Sequence, residues 1–197
     1  MLFINLQARP PEAPILVRDE VVLRIPGPGD QGAWAALRRE SRDHLVAWEP
    51  AWSDEDLSGE ALRLRLRRQW REVRLGTSLP LLIVRRADRR IVGGITLSNI
   101  RLGAVRSGVV GYWTGAPFLR RGYARSALRA VVDHAFGVLS LNRVEAACQP
   151  GNDASLRLLE SEGFRREGFA RDFLNINGRW RDHVLLAITA RDFAARQ

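Results

Sequence analysis

One segment constrains the fold of this chain more than any other: a β-type run, a helical pattern and a second β-type run follow one another. The first run is Val109 to Trp113 and the second is Val144 to Cys148. Between them, apolar residues recur at the 3.6-residue spacing of an amphipathic helix from Ala124 to Val138. A strand, a crossover helix and a strand in this order predict two parallel strands in one sheet.

The other β-type runs indicate an otherwise antiparallel arrangement. Leu79 to Val84, Ile91 to Leu97 and Val109 to Trp113 follow one another at short spacing, which predicts a meander. Val21 to Ile25 is typical of a first strand, and Asn177-Gly178 is a strong two-residue hairpin signal. The chain is therefore expected to be mixed α/β.

Helices are predicted on either side of the meander. Gln31 to His44 is helical in pattern and is ended by Pro50. Ser53 or Asp54 is the expected cap of a second helix. A later helix is predicted from Asp153 to Glu162, stopped by Gly163.

Size and composition place these elements in one domain of residues 1–197, with an irregular lead-in over residues 1–20 that is rich in proline. No apolar run reaches the roughly 20 residues of a membrane span. Met1 to Gln7 lacks the basic region of a signal peptide. Cys148 is the single cysteine, so no disulfide forms within the chain, and a cytoplasmic location is expected.

The charge of the chain is strongly basic, at +9, and all 31 basic residues are arginine. Lysine also binds phosphate well, so selection for nucleic-acid contacts would not by itself exclude it. Codon bias in a GC-rich genome and a functional charge towards an anionic cofactor or a ribosomal partner both remain open.

The loop between the strand at Val109 to Trp113 and the crossover helix is suited to binding an anion. A strand, a short loop and a helix N-terminus offer free backbone N–H groups and the positive end of the helix dipole. Gly122 allows close approach to a pyrophosphate, and Ala124 keeps the first turn thin. The loop and first turn also carry three arginines, Arg120, Arg121 and Arg125.

A second loop follows one strand later. Gln149-Pro150-Gly151-Asn152-Asp153-Ala154-Ser155 opens the next helix, which closes with Glu162-Gly163-Phe164. Asn152 and Asp153 can be explained as helix caps, Asp153 above all. In this order and spacing, however, the two loops resemble the GNAT acetyltransferase superfamily over roughly residues 21–193. The resemblance implies a mostly antiparallel central sheet, a splayed parallel pair of strands and helices on both faces.

The C-terminal segment narrows the resemblance. The segment from Glu167 to Phe173, the run Gly178-Arg179-Trp180-Arg181-Asp182-His183 and the tripeptide Trp48-Glu49-Pro50 resemble ribosomal-protein-alanine N-acetyltransferases of the RimJ type. Two features depart from the superfamily pattern, one in the loop and one in the strand before it. Leu119 and Arg120 stand where Gln or Arg and a second Gly are usual, and the strand at 108–113 carries no acidic base.

The resemblance implies acetyl-CoA as co-substrate, no metal, and direct attack of an amine on the thioester. Backbone N–H groups around Tyr112 to Thr114 are expected to polarise the thioester carbonyl. Ser155 is the candidate that protonates or hydrogen-bonds the CoA sulfur, although it can also be explained as a first-turn serine. The implied cofactor-binding residues are Tyr112, Trp113, Thr114, Arg120, Arg121, Gly122, Tyr123, Ala124, Arg125, Asn152 and Ser155.

The residue that removes the proton from the amine is left open between carboxylates. Glu49 lies between two tryptophans, and apolar neighbours would raise its pKa towards a useful value. Asp172 precedes the last hairpin, near the expected peptide channel. Glu145 is expected to pair with an arginine, and His134 and His183 are expected to be structural.

The acceptor is expected to be the N-terminal α-amine of a ribosomal protein or of a similar basic N-terminus. A small amine such as an antibiotic or toxin is the alternative within the enzyme class. A ribosome- or RNA-binding protein that has lost catalysis is the alternative of another class. Nucleic acid is expected only indirectly, through the ribosome, and both a monomer and a homodimer remain open.

Overall fold

The computed structural model describes residues 10–196. One sheet of eight strands runs in the order β1-β2-β3-β4-β5-β6-β8-β7. The strands are β1 Leu16–Arg18, β2 Val21–Arg24, β3 Leu79–Arg85, β4 Ile91–Arg101, β5 Ser107–Thr114, β6 Arg143–Cys148, β7 Arg165–Ile176 and β8 Arg179–Thr189. The helices are α1 Gln31–Glu40, α2 Arg42–Leu45, α3 Gly59–Arg74, α4 Tyr123–Gly137, α5 Asp153–Ser161 and α6 Ala190–Ala194.

The predicted parallel pair is confirmed. β5 and β6 are parallel, with Ser107 opposite Arg143 and Val109 opposite Glu145, and every other neighbouring pair of strands is antiparallel. α4 is the crossover helix between them. The Asn177-Gly178 turn is also confirmed, and both residues have the positive φ that such a turn requires.

Helices cover both faces of the sheet, as the resemblance implied. α1 and α3 contact β3 and β4, whereas α4 lies across strands β1 to β6. The core lies between these layers, and Val21, Leu23 and Val144 at its centre are 0% exposed. Burying side chains of this size stabilises the fold by about 1.5–3 kcal/mol each.

The predicted first helix is broken at Ser41. α1 ends at Glu40 and α2 begins at Arg42, because Ser41 leaves the helical conformation at ψ 7°. Its fully buried hydroxyl accepts a hydrogen bond from the Ala116 N–H at 2.9 Å. A tertiary hydrogen bond from the loop after β5 therefore replaces regular helix geometry at this residue.

Two further expectations are corrected. Ser58, not Ser53 or Asp54, caps α3 by accepting a hydrogen bond from the Ala61 N–H at 3.3 Å. Ser53 is instead bonded to Asp56 across a short 3-10 turn. The lead-in is not irregular throughout, since β1 pairs with β2, while residues 1–9 lie outside the described residues.

Candidate active site

The two parallel strands separate at the centre of the sheet. Paired residues of β5 and β6 end at Val109 and Glu145, although β5 continues to Thr114 beside β4. The Gly115 N–H donates to the Val92 carbonyl on the β4 side at 2.9 Å. Since N–H groups alternate in direction along a strand, those of Tyr112 and Thr114 point into the gap, and that of Trp113 points towards β4.

The loop before α4 has the backbone conformation of an anion cradle. Gly122 has φ +80° and is the residue before the first turn of α4, and no side chain caps that end of the helix. Arg120 also has a positive φ, of 58°, at the position where the superfamily has a second glycine. The first N–H groups of α4 are thus left for a ligand.

The side chains around this loop differ in what they can contribute. Arg120 and Arg121 are exposed and make no ion pair with any residue in the described part of the chain. Arg125 pairs with the buried carboxylate of Glu162 at 3.2 Å, which draws its charge towards α5. Tyr123 is buried beneath the loop against Phe118, so only its backbone faces a ligand.

Asn152 is the cap of α5. Its side-chain oxygen accepts a hydrogen bond from the Ser155 N–H at 3.2 Å, so the cap is Asn152 and not Asp153. Within residues 10–196, the amide nitrogen of Asn152 donates no hydrogen bond. The asparagine therefore orients the first turn of α5, on which Ser155 lies.

A hydroxyl pair spans from β5 to α5. The Tyr112 phenol lies 2.8 Å from Ser155 Oγ, and either oxygen can donate. Burial raises the pKa of Tyr112 to about 12, so the phenol stays protonated at neutral pH. Cys148 is buried nearby, and burial raises the pKa of its thiol, in line with a packing role.

On the other face of the sheet, an arginine lies among three tryptophans. The Arg38 guanidinium is 4.7 Å from the centre of the Trp52 ring and also contacts the rings of Trp34 and Trp113. It forms a two-pronged ion pair with Glu49, whose Oε1 also accepts a hydrogen bond from Trp52 Nε1 at 2.6 Å. The surroundings of Glu49 are therefore cationic as well as aromatic.

A cavity of about 240 Å³ lies between α1, α3 and the strands β3 to β5. Its charged lining residues are Asp30, Glu49 and Arg65. The cavity reaches Tyr112 and Trp113 at the separated end of β5, opposite the face on which α5 lies. One side of the gap thus faces the anion cradle, and the other faces a small aromatic cavity.

The remaining candidate residues lie outside this cavity. Asp172 is exposed in a bulge of β7, and its N–H donates to Asp182 Oδ1 at 2.9 Å. Glu145 pairs with Arg143 at 2.6 Å, as expected. His134 and His183 are buried.

Comparison with known proteins gives the family. The model of the GNAT acetyltransferase domain matches residues 20–165. This chain belongs to the GNAT acetyltransferase family. The ribosomal protein uS5-alanine N-acetyltransferase of Escherichia coli (strain K12) is 30% identical over 180 residues, covering 90% of this chain and 92% of that protein. The probable N-acetyltransferase YjcK of Bacillus subtilis (strain 168) is 34% identical over 156 residues, covering 79% and 86%.

Solved structures agree with this GNAT assignment. RimJ of Mycobacterium smegmatis, in complex with CoA-disulfide, superposes with a TM-score of 0.83 at 32% identity, covering 93% of each chain. The ribosomal-protein-S5-alanine acetyltransferase of Vibrio fischeri has a TM-score of 0.84 at 28% identity, covering 91% of this chain and 98% of that chain. The enzyme is thus an N-acetyltransferase similar to RimJ.

Residues 10–196 of this GNAT protein contain neither a cluster of metal-binding side chains nor a helix that could span a membrane. No group of three or more His, Cys, Asp or Glu side chains there is placed to hold a metal ion. Within the same residues, no helix is long and apolar enough to cross a membrane.

Three site features were missed from the sequence. Each depends on contacts between separate segments of the chain. They are the phenol of Tyr112, Arg38 as the partner of Glu49, and Arg65 in the cavity. Tyr112 had a detectable signal, because it is the one tyrosine of β5 and precedes the loop by a few residues. The two arginines had none, since α1 carries two adjacent arginines and α3 carries six, and the sequence does not say which of them faces the cavity.

Proposed function

We propose that this acetyltransferase uses acetyl-CoA to acetylate the N-terminal α-amine of a protein, with a ribosomal protein as the first candidate, in the cytoplasm. The observation that carries the proposal is the cavity that meets the separated end of β5 on the face opposite α5. An acceptor that enters through this cavity reaches the gap without displacing the cofactor, which is expected on the opposite face. The similarity to uS5-alanine and S5-alanine acetyltransferases over nine tenths of the chain supports a protein acceptor.

The residues around the α4 N-terminus fit the pyrophosphate of acetyl-CoA. The uncapped N–H groups from Gly122 to Arg125, the two exposed arginines Arg120 and Arg121 and the helix dipole all favour an anion. Asn152 offers its amide nitrogen to the pantetheine side. Acetyl-CoA supplies the acetyl thioester, and the chain supplies its orientation.

The gap between β5 and β6 supplies the electrostatics of the reaction. The N–H groups of Tyr112 and Thr114 point towards the position expected for the thioester carbonyl, where they stabilise the negative charge that develops on its oxygen. The Tyr112 and Ser155 hydroxyls form one connected donor pair, and we assign to it the proton that the departing thiolate requires. The Tyr112 phenol thus shares the proton-donating role expected for Ser155.

Glu49 is preferred to Asp172 as the carboxylate that meets the acceptor, because Glu49 lines the cavity. An ionised carboxylate accepts about four hydrogen bonds, and Arg38 and Trp52 occupy three of them. One position is left for the amine or for a bridging water. An α-amine has a pKa of about 7.7–8.0, so a modest acceptor of its proton is sufficient.

Mass spectrometry of protein N-termini, in the host with and without this gene, tests the proposal. The expected result is the loss of the acetyl group from one or a few N-termini. In parallel, the purified enzyme is assayed with acetyl-CoA on an Ala-starting ribosomal peptide and on a panel of aminated antibiotics. Acetylation of the antibiotics alone would establish the small-amine alternative and refute a protein acceptor.

The non-catalytic alternative is tested separately. A protein that has lost the cofactor shows no rise in melting temperature with CoA, whereas we expect a rise that grows with CoA concentration. The Gly122→Val variant is the control, since a branched side chain at φ +80° disturbs the cradle and should abolish most of the shift.

A further inference from the structure

We call the cavity between α1, α3 and strands β3 to β5 the acceptor cavity, and Arg65 differs from its other charged groups. It projects from α3 into the cavity and lies over the Trp34 ring, with the guanidinium carbon 4.5 Å from the ring centre. Within residues 10–196 it makes no hydrogen bond and no ion pair. Its charge therefore faces the cavity with aromatic support and without a carboxylate partner.

The two acidic groups of the cavity are already paired. Asp30 accepts two hydrogen bonds from Arg24 and one from the Gly27 N–H. Glu49 is held by Arg38 and Trp52, as described above. The uncompensated charge of the cavity is thus positive.

The distance from the gap to Arg65 is short. Trp34 stands between them, 4.5 Å from the Arg65 guanidinium carbon and 6.3 Å, centre to centre, from the Trp113 ring. Arg65 therefore lies at most about 11 Å from the Trp113 ring, and an extended peptide spans about 3.3–3.6 Å per residue. A group bound by Arg65 belongs to the second or third residue of a peptide whose N-terminus reaches the gap.

We propose that Arg65 selects acceptors that carry an aspartate or glutamate at the second or third residue. This inference rests on the proposed function and narrows it, because it replaces a basic N-terminus by an acidic one. A guanidinium binds a carboxylate through charge-assisted, often two-pronged hydrogen bonds. A lysine or arginine at the same position would instead place a second cation beside the Arg65 guanidinium, and the two like charges would repel each other.

The surrounding charges also favour an anion at this position. The Arg65 side chain is exposed, but partial desolvation and the charges of Arg38 and Arg68 lower its pKa, while the Glu49 carboxylate raises it. An anion placed beside Arg65 therefore offsets the repulsion between these arginines. The net charge of +9 also favours the approach of acidic segments over basic ones.

The test compares matched peptides on the purified enzyme. Six Ala-starting peptides carry Asp, Asn or Lys at residue 2, or the same three at residue 3, and are otherwise identical. At one of the two positions we expect kcat/KM for the Asp peptide to exceed that for the Asn peptide about tenfold. The preference should fall with added salt, because the pair is open to solvent on one side.

Substitutions of Arg65 test whether this residue causes the preference for the Asp peptide. Arg65→Gln should reduce it to less than about twofold, Arg65→Lys should keep part of it, and Arg65→Glu should favour the Lys peptide. Arg67→Gln is the matched control, since it removes the same charge from the opposite side of α3. A variant that merely loosened Trp34 would lower all six rates together and would not change their order.

The outcomes separate the two proposals. Acetylation of all six peptides without a preference for Asp, or an equal loss of preference in Arg67→Gln, overturns the role of Arg65 and leaves the proposed function in place. Acetylation of small amines with no reaction on any peptide overturns the proposed function, and the acidic preference is overturned with it.

Discussion

At the scale of single residues, the hydroxyl pair of Tyr112 and Ser155 gives the most direct test of the chemistry. General acid catalysis contributes about 10²–10⁴-fold, and two linked donors share that contribution, so Ser155→Ala or Tyr112→Phe should each lower kcat by about 10–100-fold. The double variant should lose less than the product of the two single losses. Ser161→Ala, on the same helix, is the control and should keep normal kcat; a Ser155→Ala enzyme with normal kcat would refute the assignment.

The raised pKa of Tyr112 makes a separate prediction about stability at alkaline pH. The folded pKa of about 12 lies above the ordinary value of 10.0, so between these values the unfolded chain loses a proton that the folded chain keeps. The free energy of unfolding should therefore fall as pH rises through this window, by about 3 kcal/mol for this residue. The chain has no lysine to titrate nearby.

The measurement is denaturant unfolding at several pH values between neutral and strongly alkaline, with wild type and Tyr112→Phe. The phenylalanine variant should lose part of the alkaline decline. Phenolate absorbance in a Tyr123→Phe background reports Tyr112 directly. Ionisation of Tyr112 at the ordinary tyrosine value would contradict the prediction.

Gly122 and Arg120 share a left-handed backbone but should respond oppositely to substitution. A Cβ at Gly122 meets no atom within 4 Å, so Gly122→Ala should destabilise through its φ of +80° alone, by about 1–2 kcal/mol. Arg120→Gly relieves the same conformation and should be neutral or slightly stabilising, although it removes a charge from the cradle. Urea unfolding measures the stability of both variants. A Gly122→Ala protein more stable than the wild type would show that the left-handed conformation at this residue is not strained for alanine.

At the scale of elements, the ion pair of Arg38 and Glu49 joins α1 to the loop before α3. The side chain of Arg38 is 8% exposed and that of Glu49 is 23% exposed, so removing one partner leaves a largely buried charge. Arg38→Leu should therefore destabilise the fold by about 2–4 kcal/mol and lower the melting temperature. Arg39→Leu is the control, because its pair with Asp54 is exposed and long, at 3.8 Å, and should cost less than about 0.5 kcal/mol.

The elements themselves show what the sequence could predict. The parallel crossover and the Asn177-Gly178 turn depend on local patterns, and both are found as expected. The break at Ser41 and the cap at Ser58 depend on choices between equivalent residues. Several serines can cap a helix, and tertiary hydrogen bonds such as that from Ala116 decide which residue leaves helical geometry.

The candidate site shows the same difference between features set by local sequence and features set by tertiary contacts. The loop around Gly122 lies within one strand-loop-helix unit, so its conformation follows from local sequence. The pairing of Tyr112 with Ser155 joins residues 43 positions apart, and that of Arg38 with Glu49 joins α1 to the loop that follows α2. The aromatic neighbours of Glu49 were visible in the sequence, but its arginine partner was not, because α1 carries two adjacent arginines, Arg38 and Arg39.

At the scale of the whole molecule, the charge of +9 should govern binding of the cofactor. Acetyl-CoA carries several negative charges on its phosphates, so its KM should rise as added salt screens the attraction. The kcat should change much less, because the reacting groups are shielded in the gap. Steady-state kinetics at low and high ionic strength check this, and a KM independent of salt would show that the arginines do not steer the cofactor.

The two sides of the gap are built from different stretches of the chain. The acceptor cavity draws its helical wall from α1 and α3, before residue 75, whereas the cradle and the hydroxyl pair lie between β5 and α5. Substitutions in the first stretch can therefore change which amine is accepted while the second keeps its cofactor. After gene duplication, one copy can acquire a new acceptor through a few changes near Arg65 and Trp34, and its acetyl donor stays the same.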